Sequence, residues 1–460
     1  MKQHVHFLGV CGTAMGAVAA AMARKGYVVT GSDAKVYPPM SDFLQAEKIK
    51  TFEGYSPDNI PADADIIVVG NAMSRGNEEV EAVLDRRLRY LSLPETMKEY
   101  FLRNHRNYVV TGTHGKTTTT SMLAWLMEYA QLNPSFMIGG IACNLKRGGR
   151  FTDSEFCVLE GDEYDTAFFD KRSKFLHYLP ELVIMNNIEF DHADIYNSID
   201  EIKLSFQRLL RVVPRSGLAL INADDANCLD VTHESPCPVK TLGFAHNADI
   251  RIENVDYTPD GGDFTLEGVR YHVPMVGEFN VRNAAMAISA ARFAGIPAET
   301  LVEGMKQFEG VARRQETRGT VNEIAVIDDF AHHPTAIQQS IMGLKQKFPG
   351  ARIWGIFEPR SNTTRRNIFQ DELAEALATA DISIVAQPDD KEILGEKLNI
   401  SQLQRDITTR GGKALIGTSA SEIAHLIGKE ARQGDVVLVM SNGGFDGIHR
   451  KILDALTENQ

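Results

Sequence analysis

The chain of 460 residues is 43% hydrophobic and 24% charged, with a formal net charge of −13; at about 150 residues per domain it is long enough for roughly three cores. The acidic balance excludes a broad phosphate-tracking surface, because nonspecific nucleic-acid binding rests on a positive field that releases counterions. Any anionic ligand must therefore be held locally, and no nucleic-acid partner is expected.

The chain opens with a short apolar run at residues 4–9, a glycine turn and a helical pattern. Lys2 and the apolar stretch up to Ala23 superficially resemble a signal peptide, and residues 8–11 a lipidation site. His4, His6 and the glycines interrupt that stretch, and the bulky Val10 stands before Cys11, so strand, turn and helix describe it better. No segment reaches the eighteen or so uninterrupted apolar residues that span a bilayer, so no membrane partner is expected. The five cysteines, scattered and without a CxxC pair, suggest neither a disulfide framework nor a zinc site. A reducing cytoplasm is the expected setting.

Further apolar runs follow at 65–70, 108–112, 156–160, 182–187, 218–222, 324–328, 352–357, 382–386 and 436–440, alternating with helical patterns. That rhythm predicts an α/β chain of parallel sheets covered by helices. The polar stretch 103–107 before the third run predicts a domain start at 108. The charged segment 313–319 predicts another, giving domains 1–107, 108–312 and 313–460. Between 249 and 276 the pattern turns to alternation around Asp260-Gly261-Gly262-Asp263, which predicts a small antiparallel excursion.

Five segments carry chemistry. Gly9, Gly12 and Thr13 lie between a strand and a helix, with Ser32 and Asp33 closing the next strand. Such a turn lets backbone N–H groups approach a pyrophosphate, and an acid about twenty residues on takes a ribose hydroxyl. Cys11 stands where the dinucleotide fingerprint has its second glycine, so a nucleotide or UDP-sugar loop and a merely tight turn both remain open. The second segment, GTHGKTT at 112–118, follows a strand and opens a helix. Its amides suit phosphates, Lys116 offsets charge at the β and γ oxygens, and the Thr117 hydroxyl suits Mg²⁺, although Val110 replaces the first glycine of the usual phosphate loop.

EGDEYD at 160–165 and NNIEFDHAD at 186–194 end neighbouring predicted strands. Carboxylates gathered beside a triphosphate repel it unless divalent cations intervene; the bland alternative is a solvated acidic loop, with His192 a structural histidine. DDFAHHP at 328–334 opens the third predicted domain, either facing a nucleotide or capping a helix. In EPRSNT at 358–363, Arg360 suits a substrate carboxylate or pairs with Glu358.

Together with GEFNVRN at 277–283, these motifs are similar to those of the Mur ligases in order and spacing, over nearly the whole chain. Residues 31–40, 70–77, 167–175, EPRSNT and 440–445 resemble the branch of that family that joins the tripeptide L-alanyl-γ-D-glutamyl-meso-diaminopimelate to UDP-N-acetylmuramate. The resemblance implies a Rossmann-like UDP-binding domain, a central ATPase-like domain with a phosphate loop and a C-terminal Rossmann-like acceptor domain, using ATP and Mg²⁺ in peptidoglycan recycling. It implies UDP-sugar contacts at Gly9, Gly12, Thr13, Ser32, Asp33 and Asn71. ATP contacts would come from Gly112, Thr113, His114, Gly115, Lys116, Thr117 and Thr118, with Asn283 at the adenine, Asp329 at the ribose, and Arg314. Thr117, Glu160 and His192 would hold the metal, Lys116 and His332 would be catalytic, and Arg360, Ser441 and Asn442 would meet the acceptor. Some relatives carry a carbamylated lysine after the DH motif; Lys203 is the only nearby residue of that type and is not assigned.

Three alternatives remain: a ligase adding free L-alanine to UDP-N-acetylmuramate, a UDP-sugar and ATP-binding regulator without chemistry, and a nicotinamide-dependent oxidoreductase. The last leaves the loop at 112–118 unexplained. Oligomeric state is not legible.

Overall fold

The computed structural model describes residues 2–388 and 395–458. Three helix-covered sheets follow one another along the chain. The first has five parallel strands in the order Lys50–Glu53, Val28–Asp33, His4–Leu8, Ile66–Val69, Tyr90–Ser92. Every residue of His4–Leu8 is buried because helices cover both faces: Val5 and Phe7 pack with the helix Thr13–Arg24, and Leu8 with Val80 and Val83 of Glu78–Asp85. That two-sided burial is why the strand is apolar on both faces apart from His4 and His6, whose rings are both hydrogen-bonded to Thr30. Its neighbours leave in opposite directions, so the loop after Leu8 sits at a topological switch point, where open α/β sheets bind ligands.

The middle sheet has ten strands, with Arg106–Thr111 between Phe156–Glu160 and Pro180–Met185. The expected antiparallel excursion is present. Its strands Ile250–Thr258, Gly261–Leu266 and Val269–Val273 extend the main sheet, which they join beside Val239–Gly243. The helices Lys116–Tyr129 and Glu278–Phe293 cover one face, and Ile199–Leu210 the other. Lys116–Tyr129 is rich in threonine, a mediocre helix former. Here Thr120 and Ser121 donate back to the carbonyls of Lys116 and Thr117 at 2.7 Å, which satisfies their hydroxyls inside the core. One apolar cluster runs from Val5 and Phe101 into Val109, Phe175 and Phe206, so the first unit is packed onto the middle one without a polar break.

The third sheet has six strands. Five are parallel, in the order Ile324–Asp329, Val436–Met440, Ile353–Phe357, Ile382–Ala386, Lys413–Gly417, and Glu316–Val321 runs antiparallel along the edge. The charged segment 313–319, expected to mark a domain start, thus runs into a strand. Its outer edge meets solvent, and charged residues suit an edge that must not pair further. Short edge strands such as Lys50–Glu53, Tyr90–Ser92 and Lys413–Gly417 also escaped the sequence reading, being too short or too exposed to show an apolar run. Among the described residues no helix is long and apolar enough to cross a membrane.

Candidate active site

Strand register sets the site. Val110 pairs with Glu160 and Thr111 with Met185, so Gly112, Gly161 and Asn186 leave the middle sheet side by side. In the third sheet Asp329 and Phe357 both pair with Met440, which brings together the loops beginning at Phe330, Glu358 and Ser441. A cavity of about 1100 Å³ runs between all three units, with Gly9, Thr13 and Asn71 on one wall and Thr113–Thr118, Glu160 and His192 on the next; Arg314, Asp329, His332 and Asn442 close it.

The phosphate loop depends on two glycines. Gly112 has φ +131°, and a Cβ there would stand 3.0 Å from Asn186 Cβ and from the Asn187 amide. Gly115 caps the helix with φ +77°, where a Cβ would stand 2.6 Å from Asn283 Oδ1. Gly115→Ala is therefore expected to lose about 1–2 kcal/mol to the left-handed backbone alone, to displace Asn283, and to weaken nucleotide binding at least tenfold in a titration. Unchanged affinity would mean that the loop does not hold the phosphates. Asn187 fixes the loop by accepting from the His114 amide at 2.7 Å, and Asn186 donates to Thr119 at 3.0 Å.

Lys116 Nζ donates to the Gly112 carbonyl at 2.6 Å and to both Glu163 oxygens at 2.8 and 3.0 Å. Burial opposes its charge, but Glu163 and Asp162 outweigh that and hold the ammonium above its ordinary range. Burial likewise pushes Glu163 up, while Lys116 and His192 pull it further down, so the pair stays ionised. His192 Nε2 approaches Glu163 Oε1 at 3.1 Å; burial works against protonation there, and Glu163 and Asp191 together raise its pKa.

Of the three residues expected to hold a metal, Thr117 and Glu160 are hydrogen-bonded to each other and His192 is bonded elsewhere. Thr117 donates to Glu160 Oε1 at 2.9 Å, and the Gly139 amide donates to Glu160 Oε2 at 2.6 Å. His192 joins Glu163 instead. The Thr117 hydroxyl and the Glu160 carboxylate on the walls beside Lys116 are oxygen donors that fit Mg²⁺, and the His192 imidazole is a single nitrogen donor on the same cavity. Lys203, in the helix Ile199–Leu210, reaches Asp230 at 3.1 Å and takes no part in lining the cavity.

At the first unit, Gly9, Gly12, Thr13 and Asn71 line the cavity. Asp33 accepts from the Cys11 amide at 2.8 Å and so braces the glycine loop. Ser32 is fully buried and donates to Glu79, so it supports the loop from below and does not reach the cavity. At the third unit, Asp329 accepts from the Gln315 and Ala331 amides at 2.9 and 2.7 Å, and burial raises its pKa. His332 donates from Nδ1 to the Phe330 carbonyl at 3.0 Å, and burial lowers its pKa, leaving a neutral ring with Nε2 unprotonated. Asn283 and Asn442 line the cavity, and Arg314 donates to Thr117 at 3.3 Å while lying over the Phe330 ring. Arg360 and Ser441 do not line it: Arg360 lies against Gly443 with Nη1 3.7 Å from Glu358, and Ser441 is buried, donating to the same Glu358.

Several lining or bridging groups carried no assignment in the sequence. Glu163 links Lys116 to His192, Lys174 pairs with Asp162 at 2.7 Å, and Tyr164 donates to Asp194 at 2.9 Å. The third unit is closed on the middle one. Thr363 accepts from the Ala193 amide at 3.2 Å, Asn362 donates to Asp194 at 3.2 Å, and Arg366 donates to the Ala193 carbonyl at 2.8 Å.

Family models cover all three units: the Mur ligase family catalytic domain matches residues 4–105, the Mur ligase middle domain 110–291, and the Mur ligase glutamate ligase domain 313–443. A UDP-N-acetylmuramate–L-alanyl-γ-D-glutamyl-meso-2,6-diaminoheptandioate ligase of Haemophilus influenzae is 41% identical, over 99% of both chains. The chain belongs to the Mur ligase family. This Mur ligase is 31% identical to a UDP-N-acetylmuramate–L-alanine ligase of Clostridium perfringens, over 96% of both chains. The crystal structure of a murein peptide ligase from Psychrobacter arcticus, 36% identical, matches 99% of it at a TM-score of 0.72 and is itself covered to 98%. Like the family, the chain is an ATP-dependent amide-forming ligase. The phosphate loop is thus accounted for without nicotinamide chemistry, and a role limited to binding is set aside.

Proposed function

We propose that this Mur ligase joins L-alanyl-γ-D-glutamyl-meso-diaminopimelate to UDP-N-acetylmuramate and converts ATP to ADP and phosphate, a step that returns cell-wall peptide to synthesis in the cytoplasm. The observation that carries the reading is the single cavity joining the Gly9 loop, the Lys116 loop and the Asp329–His332 turn. The greater identity to the tripeptide ligase than to the alanine ligase, 41% against 31%, supports the acceptor.

In this reading the amides of residues 112–118 cradle the triphosphate, with Asn283 at the adenine and Asp329 at the ribose. Lys116 turns from Glu163 to the β and γ oxygens, where its charge grows in value as the γ-phosphoryl transfers. Thr117, Glu160 and His192 would hold magnesium, which would supply further neutralisation of the transferring charge. The glycine loop at Gly9, Gly12 and Thr13, with Asp33 behind it and Asn71 opposite, holds the UDP-sugar so that the lactyl carboxylate meets the γ-phosphorus. An oxygen of that carboxylate forms the new P–O bond and ADP leaves. The alanine amine then attacks the acyl carbon, and phosphate departs with the former carboxylate oxygen. The unprotonated Nε2 of His332 is suited to receive the amine's proton. Asn442 meets the peptide on the cavity wall, while Arg360 and Ser441 act from behind through Glu358.

Acceptor profiling by phosphate release tests the substrate. The tripeptide is expected to exceed free L-alanine in kcat/KM by roughly 100-fold or more, the scale on which polar recognition discriminates. Equal or better turnover with alanine would favour the biosynthetic alternative, and no release with either would end the ligase reading of this acceptor site.

A further inference from the structure

Beside the phosphate loop lies a second cluster, whose side chains have no part in the ligase reaction as proposed. His114 stands in the loop itself, Glu189 follows the strand Pro180–Met185, and His333 opens the third unit's helix Pro334–Lys347. Glu189 Oε2 lies 3.4 Å from His114 Nε2 and 3.5 Å from His333 Nδ1, and one ligand atom from each residue falls within 4.8 Å of the other two. Tetrahedral zinc binds imidazole nitrogen and carboxylate oxygen at about 2.0–2.2 Å, which puts neighbouring ligand atoms roughly 3.3–3.6 Å apart. Two edges of such a tetrahedron therefore already have their length.

The surroundings fit the same ion. His114 Nε2 is buried and meets only the Glu189 carboxylate, at 3.4 Å and outside good hydrogen-bond geometry. A buried ring nitrogen left with so poor a contact costs free energy that a metal would recover. His333 Nε2 donates to the Phe190 carbonyl at 3.2 Å, which leaves the Nδ1 lone pair toward Glu189; ligating histidines are commonly anchored through the other ring N–H in this way. The Thr335 amide, 3.3 Å from Nδ1, is a weak competitor for that lone pair, and the Thr335 hydroxyl steadies Glu189 Oε2 at 2.6 Å. Two imidazoles and one carboxylate suit zinc far better than magnesium, which prefers an all-oxygen shell. No cysteine is involved.

We propose that His114, Glu189 and His333 form a zinc-type site, with water as the fourth ligand, that fastens the third unit to the phosphate loop. Because the ligands come from both sides of the junction, an ion bound there holds the closed arrangement and slows the opening that product release requires. Zinc would act on this enzyme as an inhibitor distinct from its magnesium.

The test uses the full chain, freed of metal by chelation and titrated with Zn²⁺ against a chromophoric chelator, then with Co²⁺ followed in the visible. The wild-type chain is expected to take up one tight equivalent, with the ligand-field spectrum of nitrogen and oxygen donors and no thiolate charge-transfer band. His333→Asn, which keeps a good helix cap, and the near-isosteric Glu189→Gln are each expected to weaken zinc by more than about 100-fold, beyond what loss of an outer-shell partner costs. His192→Asn is expected to retain the equivalent, and circular dichroism checks that each variant is folded. Wild-type affinity in folded His333→Asn, a thiolate band, loss of the equivalent in His192→Asn, or no stoichiometric uptake by the wild type would each overturn the assignment.

Discussion

Lys116→Ala is expected to lower muramate-dependent ADP formation about 1000-fold, the scale on which a single preorganised charge at a transferring group contributes. Among the described residues no neighbouring side chain replaces it. Arg314 engages Thr117 and lies over Phe330, and Lys174 is held by Asp162. The effect should fall on kcat more than on KM, since much of ATP's binding comes from backbone amides that the substitution leaves in place. Steady-state ADP release read with a coupled assay decides it. Turnover within about tenfold of wild type would mean that the γ-phosphate is stabilised elsewhere.

The second large effect concerns Glu163, only 2% exposed and the partner of both Lys116 and His192. Glu163→Ala leaves a buried ammonium with only carbonyl acceptors, so the nucleotide-free protein is expected to lose about 3 kcal/mol in denaturant unfolding, the lower end for breaking a buried pair. Saturating ATP and Mg²⁺ should narrow the deficit, because the phosphates then supply the missing counter-charge. Glu163→Gln, which keeps the shape and one acceptor, should lose less. A deficit that nucleotide leaves untouched would show that Lys116 does not face the triphosphate.

The parts of this site that are legible in sequence are those whose geometry is local. Gly112, Gly115, Lys116 and Thr117 lie within one strand, one turn and the first helical residues, so their spacing already fixes which atoms converge. The same holds for the Gly9 turn and for Asp329, which ends a strand. Contacts set by distant register stayed hidden. Nothing within EGDEYD tells Glu160 from Glu163, yet Val110–Glu160 pairing brings Glu160 to Thr117 while the chain beyond it carries Glu163 to Lys116.

Ser32 and Ser441 show the converse. Each ends or follows a strand in a motif-rich segment and reads as ligand-facing, but both side chains turn inward to carboxylates, the buried Glu79 and the half-buried Glu358. A small hydroxyl at a strand end has two faces to choose from, and which one holds the unsatisfied acid is a tertiary fact. The fold divides similarly. Two-sided burial makes strands such as Ile66–Val69 and Val436–Met440 plain apolar runs, whereas Glu316–Val321, solvated along one edge, has the composition of a linker.

The transfer of phosphorus to an organic acid is tested most directly by labelling both oxygens of the muramate lactyl carboxylate with ¹⁸O and running the reaction with the tripeptide. Each released phosphate is expected to carry one labelled oxygen, with the other retained in the new amide. Phosphate free of label, with ATP consumed and amide formed, would contradict an acyl-phosphate made at Lys116.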